Sequence, residues 1–189
     1  MTEKGFETKK MISEAANKLF AEKGFKDVSM SDICKATGLS RGGLYRHYSS
    51  TSDIFKEIIE KEYSFDESIE KGNSALDILR FNLKLVEEEI LKNQNSLSLA
   101  IYEYVSIADN KKIFSLLEAK AKKRWMKLIE YGIKTGEFCN VDSEQASEMI
   151  LYYYQGLRMW SRIVDIKKKS AGFYRENIIK YLVGEKNGN

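Results

Sequence analysis

The sequence predicts an all-α fold, with an N-terminal three-helix, helix-turn-helix head and a longer C-terminal helical part. Three observations carry this. The 189 residues contain no proline, which a sheet-rich or loop-rich chain of this length would be unlikely to avoid. Apolar residues recur at helical spacing along most of the chain. Residues 29–48 read as two short helices joined by a tight glycine turn.

The first helix carries Ile12, Ala15, Ala16, Leu19 and Phe20 on one face, with Lys23 in its last turn and Gly24 ending it. Ser29 starts a short helix with Asp32 in the capping-box position, and Met30, Ile33 and Cys34 face inward. Thr37-Gly38-Leu39 breaks it. Ser40 caps the next helix, which is expected to run to about Tyr48. Ser49–Ser52 form a polar break, and Asp53 then opens a helix with Ile54, Phe55, Ile58 and Ile59.

After a break at Gly72-Asn73, Ala75 to Lys92 carries Leu76, Leu79, Leu83, Val86 and Ile90 at helical spacing. Asn93 to Ser96 is a polar break, and the apolar stretch LSLAIYEYVSIA runs from there to Asp109-Asn110. Residues 113–134 form a helix closed by Gly136. Asp142 caps the next, at about 143–165, with Gln145 in the capping-box position. A final helix spans about Phe173 to Val183, and the tail GEKNGN is expected to fray.

Composition excludes several classes. Hydrophobic residues make up 43% and charged residues 31%, a globular balance, and the net charge of +3 names no partner. Cys34 and Cys139 form neither a disulfide framework nor a metal motif, so no metal or cofactor is expected. No apolar run reaches the roughly 18 residues of a membrane span, and MTEKGFETKK has no signal-peptide core. A cytoplasmic chain is expected.

The stretch SRGGLYRHYSS, residues 40–50, places two weak helix formers, Gly42 and Gly43, among two arginines, two tyrosines and the only histidine. Between Asp32 and Asp53 there is no acidic residue, while Lys35, Arg41, Arg46 and His47 lie in that interval. A surface meant for phosphates is built this way, because a carboxylate there would be repelled. The glycines allow close backbone approach at the end of the helix that enters a major groove. Arg41 and Arg46 suit phosphate or guanine, and the hydroxyls of Tyr45 and Tyr48 suit phosphate. The Tyr48 ring reads equally well as core. His47 has no cysteine or serine constellation around it that would make it a general base, and the chain is not expected to be an enzyme.

Residues 11–55, MISEAANKLFAEKGFKDVSMSDICKATGLSRGGLYRHYSSTSDIF, resemble the DNA-binding region of TetR-type transcriptional repressors. The shared features are LF-x-x-x-GF, D-I-x-x-x-x-G-L-S and G-x-L-Y-x-H-Y. GEFCNVDSEQASEMI, residues 136–150, resembles the entry to the family's penultimate helix. The resemblance implies a DNA-binding domain at 1–50 and a ligand-binding and dimerisation domain at 51–189. It further implies a homodimer paired through the last two helices, a palindromic double-stranded operator and a small-molecule effector. It places DNA contacts at Ser29, Ser40, Arg41, Gly42, Gly43, Tyr45, Arg46 and His47. Thr51 stands where the family often has a phosphate-contacting lysine, and its hydroxyl or nearby amides can substitute. Cys34 stands where alanine is usual and reads as core.

In the C-terminal part, three consecutive tyrosines, Tyr152, Tyr153 and Tyr154, cover about 300° of a helix, so one face should meet something beyond its own core. A two-fold partner is the simplest candidate, and Gly156 would permit close helix approach. Phe81, Tyr102, Tyr104, Trp125 and Tyr153 are aromatics suited to a flat or greasy effector, although each taken singly reads first as core. Glu103 lies within an apolar run, either as counter-charge to a cationic ligand or facing water. The competing class is a helical carrier or enzyme that keeps the head only as scaffold.

Overall fold

The computed structural model describes residues 3–61, 64–92, 96–107 and 111–184. Among them are ten helices and no strand: α1 Glu3–Lys23, α2 Met30–Thr37, α3 Arg41–Tyr45, α4 Thr51–Ile59, α5 Asp66–Glu70, α6 Ala75–Lys92, α7 Ser98–Ile107, α8 Lys111–Lys134, α9 Ser143–Ser161 and α10 Lys168–Val183. Of the break expected at Asn93 to Ser96 only Ser96 is described, and the break at Asp109-Asn110 and the tail beyond Gly184 lie outside the described residues.

The chain divides into two compact units. One comprises Met1–Glu62 with Gln94–Leu117, and the other Tyr63–Asn93 with Glu118–Asn189. In the first, α1 packs against α2, α4 and α7, and α2 against α3. Its core holds Ile12, Phe20, Ile33, Leu44, Ile54 and Phe55, all fully buried. Ala100 and Tyr104 of α7 belong to that same core. The rings of Phe20, Phe25, Phe55 and Tyr104 form its centre, with centroids of neighbouring rings 4.8–5.7 Å apart.

In the second unit, α6 packs against α9 and α10, around Leu79, Leu83, Leu128, Ile129, Ile150 and Leu182. Two ion pairs tie these helices together. Arg175 of α10 meets Glu87 of α6, and Arg158 of α9 meets Glu89 of α6 at 3.0 Å. Gly132 is required by the close approach of the Phe138 ring, which a methyl at that position would overlap.

Helix bounds differ from the pattern in the sequence at several points, and one short helix has no counterpart there. α3 stops at Tyr45, where the amides of Arg46 and His47 fold back onto Gly42 and Leu44 in a tightening turn. α9 ends at Ser161 by the same means: Arg162 and Ile163 donate to Met159 and Trp160. α10 starts earlier than Phe173, at Lys168, with the buried Ala171 anchoring a first turn of otherwise polar residues. α5 is a five-residue helix with no side-chain cap, too short to leave a periodic signature.

Candidate nucleic-acid interface

Local capping positions α2 and α3. The Ser29 Oγ accepts from the Asp32 amide at 3.2 Å, and the Ser29 amide donates to Asp32 Oδ2 at 3.0 Å. Hydrogen bonds from the Ser29 hydroxyl and then its amide hold the Asp32 carboxyl below its ordinary range. Gly38 closes α2 with φ +71°, a left-handed conformation that glycine adopts without penalty. Ser40 caps α3, its Oγ accepting from the Gly43 amide at 3.1 Å.

Leu44 is fully buried and pins α3 to the core. Around that anchor Arg41, Gly42, Tyr45 and Arg46 are exposed and His47 is half-buried. Lys35, Ser29 and Ser40 are also exposed, and Thr51, the first residue of α4, is half-buried. Arg41 donates to the Ser31 hydroxyl at 3.2 Å, which orients its guanidinium beside the start of α2.

The two glycines have separate reasons. A methyl at Gly42 would meet nothing, so the fold itself does not demand glycine there. At Gly43 a methyl would come within 3.3 Å of the Ser40 Oγ and crowd the cap.

The structure moves Tyr48 off this face. It is 5% exposed and donates to Glu57 Oε1 at 2.7 Å. Lys9 lies 4.8 Å from its ring centre and is paired with the same glutamate. Burial, with Glu57 beside it, raises the phenol pKa. Of the two readings of the ring, core is the one that holds.

The six residues offered as a ligand site are divided between the two units. Tyr102, Glu103 and Tyr104 fall in the first unit, and Phe81, Trp125 and Tyr153 in the second. Tyr104 is buried against Phe25 and Phe55, at 4.9 and 5.0 Å, as part of the head's core. Glu103 is half-buried, and its Oε2 accepts from the backbone amides of Phe25 at 2.6 Å and Lys26 at 3.0 Å. Tyr102 and Phe81 are exposed. Trp125 is buried edge-on to Phe65 at 5.1 Å, and Tyr153 packs on Tyr174 at 4.8 Å.

Comparison with known proteins agrees with this geometry. Residues 12–58 match the family model "Bacterial regulatory proteins, tetR family". The chain is 31% identical over 137 residues to the uncharacterised HTH-type transcriptional regulator YfiR of Bacillus subtilis, covering 67% of this chain and 66% of the relative. It is 29% identical over 118 residues to an HTH-type transcriptional regulator of Staphylococcus aureus, covering 62% and 57%. The chain thus spans somewhat less than two thirds of the length of these curated relatives. Among solved structures, regulatory protein TetR from Rhodobacter sphaeroides superposes with a TM-score of 0.73 at 15% identity, over 92% of this chain and 98% of that one. GusR of Salmonella enterica superposes with a TM-score of 0.67 at 24% identity, over 96% and 98%. These two superpositions establish the fold alone. Joined to the matched head and the sequence relatives, they lead to one assignment: the chain belongs to the TetR family of bacterial transcriptional regulators.

Proposed function

We propose that this regulator is a ligand-responsive repressor that binds a palindromic operator as a homodimer and leaves it when a small molecule binds. The observation that carries the DNA half is the exposed set Arg41, Gly42, Tyr45 and Arg46 around the buried Leu44, within a stretch free of carboxylates from residue 33 to 52. Ser29, Lys35, Ser40, Gly43, His47 and Thr51 flank that set as phosphate contacts. Open space at Gly42 fits close approach of a nucleic-acid backbone.

Dimerisation through the last two helices is supported by an uncovered apolar stripe. Met149, Tyr152 and Trp160 of α9 are exposed at one helical face, and Gly156 lies on the same line with open space above it. Phe173 and Tyr181 of α10 are exposed eight residues apart. An effector site in the second unit is supported by the hydroxyls of Tyr153 and Tyr154. Both are buried without a hydrogen-bond partner among the described residues, and a polar group of a ligand would satisfy them.

Selection from random duplex DNA by the purified protein, at fixed moderate salt, tests the proposal. A palindrome with half-sites about 34 Å apart is expected. Arg41→Ala and Arg46→Ala should each weaken binding to the selected site by about 1–3 kcal/mol. Unchanged affinity in both would remove α3 from the groove. No enrichment by folded, ligand-free protein would favour a carrier or enzyme that retains the head as scaffold. Operator and effector should antagonise each other equally in both directions. A small molecule that binds the folded protein without loosening the operator complex is not the effector.

A further inference from the structure

We propose that Glu103 is a positioning residue for operator recognition, the point at which α7 fixes the loop that sets α2 and α3; the inference rests on the DNA-binding function above. One carboxylate oxygen receives two consecutive backbone amides, Phe25 at 2.6 Å and Lys26 at 3.0 Å, from 78 and 77 residues away in sequence. Successive amides converging on one anion form a small backbone nest, and their hydrogen bonds are charge-assisted.

The residue before them completes the socket. Gly24 has φ +87°, and a methyl there would stand 2.5 Å from the same oxygen, so glycine is needed both for conformation and for room. Next to Glu103, the Tyr104 ring holds the Phe25 ring edge-on at 4.9 Å. The loop between α1 and α2 is thus pinned by a charge and by a ring from the same turn of α7. Three residues beyond Lys26, Ser29 begins the capping box of α2, which packs on α3.

The carboxylate thus ties α7 to the loop that leads into α2. Its role is positional; nothing requires it to touch DNA.

The test uses the full chain with the selected operator duplex and a scrambled duplex of equal length, at one salt concentration. Glu103→Ala should lose about tenfold in operator affinity, the lower end of what charge-assisted hydrogen bonds contribute, while its affinity for the scrambled duplex stays unchanged. Glu103→Gln keeps an acceptor oxygen without the charge and should fall between the parent and Glu103→Ala. Hydrogen exchange should quicken at the Phe25 and Lys26 amides and along α2. Gly24→Ala attacks the same socket from the other side, so the double variant Gly24→Ala/Glu103→Ala should lose less than the sum of the two.

Operator affinity equal to the parent's in both Glu103 variants, with faster exchange confined to Phe25 and Lys26, would overturn the proposal. So would a loss shared in equal proportion by both duplexes, which marks a merely structural residue. If Glu103→Ala fails to fold, Glu103→Gln decides. A parent chain that does not distinguish operator from scrambled duplex sinks the DNA-binding function and this inference with it; discrimination by the parent with intact discrimination in the variants sinks the inference alone.

Discussion

Phe55→Ala should lower stability by about 3–5 kcal/mol, the largest effect expected of any single truncation in the head. Phe55 is fully buried, and three rings close on it: Phe20 at 4.8 Å and 72°, Tyr104 at 5.0 Å, and Phe25 at 5.1 Å. Those rings belong to α1, to α7 and to the loop between α1 and α2. Truncation therefore removes the piece shared by three segments as well as the transfer free energy of the ring. Each tilted or edge-on contact adds about 0.5–1.5 kcal/mol to plain burial. The site cannot collapse easily, because its neighbours come from separate segments with their own anchors. Urea unfolding of parent and variant, with equal slopes, gives the difference directly. Phe55→Leu refills part of the volume and should cost less. A loss below about 1 kcal/mol for alanine would mean that the cluster is not what holds the head together.

The head was legible in the sequence because its signals are local. Ser29 and Asp32 lie three residues apart and form the capping box that the spacing implies. Gly38 adopts the positive φ that a tight turn needs. α6 begins at Ala75 and ends at Lys92, as the spacing of its leucines predicts. What the sequence hid depends on partners far along the chain. LSLAIYEYV is apolar nearly all round, so it shows no preferred face. Nothing beside Glu103 tells that its partners are the amides of residues 25 and 26. A carboxylate in an apolar run then looks like a ligand counter-charge, although it is a structural acceptor.

Aromatic rings mislead in a related way. Tyr48 and Tyr45 sit three residues apart in one motif, yet one is 5% and the other 53% exposed. α3 is so short that its face follows from how Leu44 docks, not from a repeating pattern. The three tyrosines of α9 were readable because only geometry was needed. Consecutive residues cannot share a face, and Tyr152 is exposed, Tyr153 half-buried and Tyr154 buried. Ile163 and Val164 extend the apolar pattern beyond α9 but are 74% and 47% exposed, so the pattern overstated the helix.

The second large effect concerns acid. The Glu137 carboxylate accepts from the Ala75 and Leu76 amides at 2.9 and 3.2 Å, from Thr135 Oγ1 at 2.9 Å, and from the Ser74 hydroxyl. It thereby occupies the N-terminus of α6 as a cap supplied from 62 residues away. Burial alone would raise its pKa, but the donors from Ser74, Ala75, Leu76 and Thr135 outweigh burial and hold it at about 2, against an ordinary 4.5. A carboxyl whose folded pKa lies below its unfolded one stabilises the fold above the unfolded value. That stabilisation is lost as pH falls through the window from 4.5 to about 2. Allowing for screening at a half-buried site, Glu137→Gln should cost about 2 kcal/mol at pH 7. The difference between parent and variant should shrink steadily below pH 4.5 and approach zero near pH 2. Other depressed carboxyls, such as Asp32, are present in both chains and cancel in that difference. Urea midpoints across the acid range decide the matter: a gap that stays constant with pH would show that the loss comes from packing and not from the charge on the α6 cap.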